Sequence, residues 1–359
     1  MQRSALRTRA LAHTLQPATT LPEAFARLGF VQADPIRAPA RAQDLILRPR
    51  VVDYRVGDLQ AWYAGAELDE GYLYAHGYLP RATWDLLRPA DPPPVDALSA
   101  RILAALAETG PARPRDLDAH VGAGKTRNAW GGSSRASSVA LERLHRAGRV
   151  RVADRVSGTR RYALAPEPPS TPPEARLAAL VEVVANVLAP VSQRTLRAIA
   201  ARLRKRVFPG GDHRAVLDGL VADGRLRVDV VDEVRYLSPP ASPPAHAPRA
   251  AVLAPFDPLV WDRDRFEHLF GWVYRFEAYT PKAKRIRGYY AMPLLWRDGV
   301  VGWVNAVEGD LEVGYQAGKP TDTGFEVALE AELDALRASL QPRARPAPGA
   351  VPERPQDKG

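Results

Sequence analysis

Apolar residues recur at helical spacing along several short stretches of the chain. In the N-terminal part the pattern predicts helices over residues 3–15, 22–28 and 35–47, with an extended piece over 30–34 just ahead of the third. Further along, apolar helices open at 98–106 and 177–188. Each is followed after a turn by a second helix (115–120 and 194–203) and by a third that stops at Gly148 or Gly224, glycine being a common helix terminator. Two short alternating strands come next, with a turn at Ser157-Gly158 in the first instance. The two regions repeat each other: Leu141, Leu144, Gly148, Arg149, Arg151 and Val152 align with Leu217, Leu220, Gly224, Arg225, Arg227 and Val228. Three helices and a hairpin make a winged helix, a helix-turn-helix variant. From 250 to 315 the pattern is β-rich, with RIRGYYAMPLLWRDGVVGWVNAV giving two or three strands and a turn at Arg297-Asp298-Gly299. This predicts a small barrel or curled sheet, closed by an amphipathic helix over 326–340.

Proline punctuates these elements. The clusters PADPPP, PEPPSTPP and PPASPPAHAP, and a tail QPRARPAPGAVPERPQDKG, cannot continue a helix or enter a sheet interior. They predict units over 1–90, 95–165, 174–240 and 249–341, and a disordered tail over 342–359. The 359 residues are long enough for more than one domain.

Charge sharpens the picture. The chain carries 50 Lys plus Arg against 41 Asp plus Glu, a net +9. Residues 101–165 alone hold 13 cations and five anions, nearly the whole excess, and residues 174–240 add +3. Such a clustered basic face on a third helix and wing attracts nucleic-acid phosphates. The plain alternative is a solvated face without a ligand. No cysteine is present, which excludes a disulfide framework, a thiolate zinc site and a cysteine nucleophile. The seven histidines are far apart, so no histidine metal site or other cofactor is expected. No run approaches 18 apolar residues, so no transmembrane helix is expected and a cytoplasmic location is.

Gly122-Ala123-Gly124-Lys125-Thr126 looks like the end of a phosphate-binding loop, but Ala119 stands where the upstream glycine is needed and a helix precedes it. Two other segments carry chemistry. In an extended 31–34, alternation puts Gln32 and Asp34 on one face, an amide beside a carboxylate. The plain reading is that Asp34 caps the helix started by Pro35. In RFEAYTPKAKRIRGYY, the cations Lys282, Lys284, Arg285 and Arg287 lie between aromatic strands. Basic residues at a hairpin tip suit phosphate or minor-groove contact.

Together, LGFVQADPI, RAQDLILRPRV, YAHGYLP, DPLVWDR, RFEAYTPKAKR and GYYAMPLLWRDGVVGW resemble the winged-helix DNA glycosylases that unhook interstrand crosslinks, the AlkZ/YcaQ family, over about residues 21–305. The resemblance implies an α+β architecture of three tandem winged helices followed by a small C-terminal β-barrel. It places Gln32-Ala33-Asp34 on the family's catalytic motif in the Gln-X-Asp form of the YcaQ branch, whose substrates are N7-alkylated guanines, including nitrogen-mustard crosslinks. Gln32 and Asp34 are then the expected catalytic pair, with Asp34 stabilising charge and acting as base, Gln32 orienting water, and no lyase step. Tyr74-Ala75-His76 fits an aromatic–small–His pattern of the family, although the gap to Leu79-Pro80 is shorter. The expected DNA-contacting set is Arg37, Arg48, Arg50, Tyr74, His76, Arg135, Arg149, Arg151, Lys282, Lys284, Arg285 and Arg287. The partner is double-stranded DNA with an alkylated or crosslinked guanine, bound by a monomer without membrane contact. A non-catalytic winged-helix regulator is the rival reading; a protein-assembly scaffold is a weaker third.

Overall fold

The computed structural model describes residues 2–16, 20–122, 124–127, 133–167, 170–241, 243, 249–307 and 309–343. Most of the proline-rich tail expected over 342–359 lies outside these residues, as does Ala123 of the loop-like glycine stretch.

Local signals set the element ends. Helix α1 spans Arg3–Thr14. Helix α2 (Leu21–Leu28) starts in a capping box: the Thr20 hydroxyl accepts from the Glu23 N–H, the Glu23 carboxylate accepts from the Thr20 N–H, and Pro22 lies in the first turn. Gly29 ends it in the left-handed conformation. Strand β1 (Val31–Gln32) follows, then α3 (Ala42–Leu47), α4 (Asp58–Tyr63), β2 (Leu68–Tyr72), β3 (His76–Pro80) and α5 (Arg81–Leu86). The helix expected over 35–47 begins only at Ala42. A helix through 35–41 would place Pro39, which has no N–H to donate, inside its second turn.

The second region runs α6 (Ala97–Thr109), α7 (Pro114–Val121), a short hairpin β4 (Lys125–Arg127) with β5 (Ser133–Arg135), α8 (Ala136–Arg146), and the hairpin β6 (Val150–Val156) with β7 (Thr159–Leu164). The third runs α9 (Pro173–Val187), β8 (Val191–Ser192), α10 (Gln193–Val207), α11 (His213–Ala222), β9 (Arg227–Val231) and β10 (Val234–Ser238).

The first and third regions share one topology, helix–strand–helix–helix–strand–strand, with sheet orders β1-β3-β2 and β8-β10-β9. In the second, an isolated bridge between Ala112 and Tyr162 takes the place of the first strand. The repeat read between the second and third regions therefore extends to the first.

The C-terminal part holds β11 (Ala250–Val252), α12 (Pro258–Trp261), α13 (Arg263–Phe270), β12 (Met292–Trp296), β13 (Gly299–Val307), β14 (Asp310–Tyr315) and α14 (Phe325–Leu340). The expected barrel is corrected. Among the described residues the strands form an open sheet in the order β11-β12-β13-β14. Four short strands are too few to close on themselves. Instead α14 covers the sheet by burying Phe325, Leu329, Leu333 and Leu336. The strand expected before the basic segment is absent, and residues 271–291 form an irregular loop with a single 3₁₀ turn at Lys282–Lys284.

The cores cross the proline boundaries. One unites the first and second regions with the C-terminal sheet, and another unites α5 and β3 with the third region. Leu6 and Leu11 of helix α1, and Leu15 just after it, are buried against Leu259, Val260 and Phe266 of the C-terminal part. Among the described residues, no helix is long and apolar enough to cross a membrane.

Candidate active site

Strand β1 ends at Gln32, leads directly into Ala33-Asp34, and is held from one side by β3, with Val31 opposite Tyr78 and Gln32 opposite Gly77. One further bond, Ala33 N–H to His76 C=O at 2.9 Å, continues the pairing. Beyond it the chain turns, and Asp34 Oδ1 accepts the Ile36 N–H at 2.9 Å. Asp34 therefore caps this turn rather than a helix, since α3 begins eight residues later. The β1–β3 approach needs Gly77: a Cβ there would come within 2.3 Å of the Val31 carbonyl oxygen and 2.6 Å of the Phe30 ring.

Asp34 opens onto a cleft of about 230 Å³ with Ala33, Pro35, Arg41, Gln43, His76, Tyr78, Arg155 and Arg160 on its walls. Gln32 is buried behind this wall rather than lining it, and its amide oxygen has no hydrogen-bond partner among the described residues. The Gln43 amide oxygen is likewise buried and unpartnered. Among the described residues the buried Tyr290 hydroxyl also lacks a partner. Burial, and then the nearby Asp34 carboxylate, push its ionisation well above the ordinary range, so it keeps its proton.

A buried carboxylate fixes one wall. Glu70 on β2 is wholly buried; it accepts from Arg155 Nε at 2.6 Å, Arg155 Nη2 at 2.7 Å and Arg160 Nε at 2.9 Å. Burial alone would raise its pKa, but the two guanidiniums outweigh that and hold it at about 2. Arg160 Nη2 in turn donates to His76 Nε2 at 2.9 Å. A guanidinium only donates, so Nε2 must be the lone-pair nitrogen and neutral His76 carries its proton on Nδ1. Burial, partly opposed by Glu70, lowers the His76 pKa and favours this neutral form. The His76 side chain is 40% exposed, so its ring remains accessible in the cleft.

The other expected site residues divide sharply. Arg50 is 2% exposed and donates to Asp257, at 2.8 and 3.1 Å, and to the Thr14 and Ile46 carbonyls. Arg48 is buried against Glu332 and the Val252 carbonyl. Tyr74 is buried between Phe30 and Trp261. These three join parts of the fold and do not reach a DNA surface, which corrects the expectation for them. Arg151 faces the buried Asp69 at 3.8 Å and so serves the contact between the first and second regions.

Arg37 and Arg149 are exposed, and Arg135 is exposed while paired with Asp118. Lys282 and Lys284 are exposed on the 3₁₀ turn. Arg285 stacks on Tyr289, and Arg287 on Trp272 and Trp303. Their loop is organised by the buried Glu277 carboxylate, which accepts the N–H groups of Ile286, Arg287 and Gly288 at 2.9, 2.8 and 3.2 Å. Ile286, between the two arginines, is 79% exposed.

Glu70, Gln43, Tyr290, Arg41 and the inward-facing Arg155 and Arg160 were not singled out for the site from the sequence. The one available signal was Asp69-Glu70 within a short strand, two acids where alternation would leave at most one exposed.

A family model described as DNA glycosylase AlkZ-like matches residues 25–339. Among solved structures, the chain is similar to a DNA glycosylase AlkZ of Streptomyces sahachiroi, with a TM-score of 0.61 and 14% sequence identity over 95% of this chain and 99% of that one. At that identity the structural likeness bears on the fold alone.

Proposed function

The chain belongs to the AlkZ-like DNA glycosylase family, and we propose that it hydrolyses the N-glycosidic bond of N7-alkylguanine in duplex DNA, with Asp34 at the reacting centre. The observation that carries this reading is the Asp34 carboxylate on a cleft whose other lining residues, among those described, include the cations Arg41, Arg155 and Arg160 and no second carboxylate. Alkylation at N7 makes guanine cationic, so the base leaves readily and the barrier lies in the positive charge that develops on the sugar. A carboxylate beside C1′ stabilises that charge. A water then adds to C1′, the bonding pair of the C1′–N9 bond departs with the base, and the water's proton passes to Asp34. The amide oxygen of Gln32 is unpartnered among the described residues but buried behind this wall, so its proposed role in orienting that water requires the wall to move when DNA binds. The Nδ1–H of His76 supplies a neutral donor in the same cleft. With water as nucleophile, no lyase step follows.

We read the three repeated regions as winged helices and the exposed Lys282, Lys284, Arg37 and Arg149 as phosphate contacts. An open cleft, rather than a closed pocket, suits a base still tethered to the opposite strand. Crosslinks of the nitrogen-mustard type are therefore within the proposed range, beyond the usual requirement for full base flipping. Family membership favours this over a non-catalytic regulator. A panel of oligonucleotide duplexes bearing N7-methylguanine, an N7-mustard monoadduct or a mustard crosslink, scored for abasic sites, tests the proposal. Release from all three supports it; release from none of them, by a protein that still binds the duplexes, overturns the assignment to N7-guanine.

A further inference from the structure

The wall made by His76 and Arg160 has a second side. Behind it lies another cleft, of about 220 Å³, to which all three repeated regions contribute: Trp84 from the first, Glu142, His145, Arg146 and Arg160 from the second, and Arg206 from the third. Its charge is unbalanced. The Arg206 guanidinium is half-buried, its Nε is buried with no hydrogen-bond partner among the described residues, and its one donated bond goes to the Arg146 carbonyl at 3.1 Å. Burial first, and then the like charges of Arg176 and Arg146, push its pKa down to about 10, with no carboxylate acting against them. His145 is stacked on Trp84, and its Nε2 is buried without a hydrogen-bond partner among the described residues. Burial, and then Arg160, hold its ring neutral, with a pKa of about 4. Glu142 lies 3.7 Å from Arg146, and Glu70 is already committed to Arg155 and Arg160.

A half-buried cation without a counter-charge is disfavoured, and an oxyanion with several acceptor oxygens is the chemistry that relieves it. A phosphate can take guanidinium donors from two directions and an imidazole N–H besides. We propose that this second cleft is a phosphate-binding site, and that the phosphate it holds is a backbone phosphodiester of the DNA strand whose lesion lies at Asp34. The shared His76–Arg160 wall would then set the distance between the gripped phosphate and the reacting sugar, since phosphate contacts fix register. The DNA half of the proposal rests on the glycosylase reading; the phosphate half does not.

Two arms test it on the full-length chain carrying Asp34→Asn to suppress base release. In the first, inorganic phosphate is titrated while the histidine ring ¹H–¹⁵N signals are followed. The His145 signals should move, and Arg206→Gln and Arg146→Gln should each abolish the movement. In the second, neutral methylphosphonates are stepped along both strands of a lesion duplex. One position near the lesion should weaken binding about tenfold, as expected for one charge-assisted contact. The same replacement should cost Arg206→Gln nothing further. If Arg206→Gln melts below assay temperature, the exposed Arg146→Gln carries the comparison. Movement of His145 with no sensitive backbone position would assign the site to a free phosphate and overturn the DNA half. No movement and no sensitive position would overturn the proposal, whatever the base-release assays show.

Discussion

Gly77→Ala tests whether the seating of β1 controls the chemistry. Gly77 pairs with Gln32 across the β1–β3 ladder. An added Cβ would lie 2.3 Å from the Val31 carbonyl oxygen and 2.6–2.7 Å from two Phe30 ring carbons. Ordinary contact would require β1 to retreat by about 1 Å. Phe30 is fully buried and packs on Tyr74 at 4.8 Å between centroids, so the ring has little room to absorb the change. Overpacking of this kind costs about 1–3 kcal/mol of stability. The larger effect is on rate, since a displacement of about 1 Å in a reacting group costs about 10²-fold. In single-turnover assays with enzyme in excess, release of 7-methylguanine should slow about 100-fold, while affinity for an uncleavable lesion duplex, read by fluorescence anisotropy, changes little. A Gly77→Ala protein that melts a few degrees lower yet releases base at the wild-type rate would refute the reasoning, because the position of β1 would then not matter to the reaction.

Other consequences follow from the buried charges. Glu70→Gln strands Arg155 and Arg160 and should cost about 3–5 kcal/mol in urea unfolding at pH 7. Because Glu70 is held at about 2, below its ordinary value, its stabilisation is full above about pH 4.5 and lost as pH falls towards 2; the variant should lack that acid limb. Burial pushes Asp69 up to about 6, against the pull of Arg151 and Arg81. It should therefore reduce stability by roughly 3 kcal/mol as pH rises from about 4 to 6. His145, pushed down to about 4, should act oppositely over about pH 4–6.5. Urea melts across pH should show Asp69→Asn rising more steeply with pH than the wild type and His145→Asn less steeply. Arg50→Met should lower stability through the orphaned Asp257 without changing the salt dependence of DNA binding, whereas Lys284→Ala should reduce the slope of log affinity against log salt by about 1.

Local structure was legible where local chemistry decides it. The helix expected over 98–106 is the centre of Ala97–Thr109, framed by Asp96, whose side chain caps Ser99, and by Gly110. The hairpin turn at Ser157-Gly158 stands between β6 and β7. The shared face expected for Gln32 and Asp34 does not form, because β1 ends at Gln32 and the cleft is lined by Ala33 and Asp34 while Gln32 is buried. What the sequence could not disclose depends on partners far along the chain. Arg48 and Arg50 read as surface cations until Glu332 and Asp257, more than 200 residues away, bury them. The +8 of residues 101–165 looked like a nucleic-acid face, yet Arg151, Arg155 and Arg160 turn inward to Asp69 and Glu70. Asp69 and Glu70 break the polar–apolar alternation of β2 because those arginines, from a different hairpin, replace their hydration. The aromatic run before Met292 suggested strands, but Glu277 takes three consecutive backbone N–H groups and curls the segment into a loop.

The most direct measurement is the single-turnover rate of 7-methylguanine release by Asp34→Asn beside the wild type, on the same duplex, with DNA affinity measured in parallel. Asparagine keeps the size and the acceptor oxygen that caps Ile36 but removes the charge and the base. The rate should fall by about 10²–10⁴, the range of a positioned carboxylate acting on charge and proton together, with affinity nearly unchanged. Release at the wild-type rate by a folded, DNA-binding Asp34→Asn protein would contradict the account.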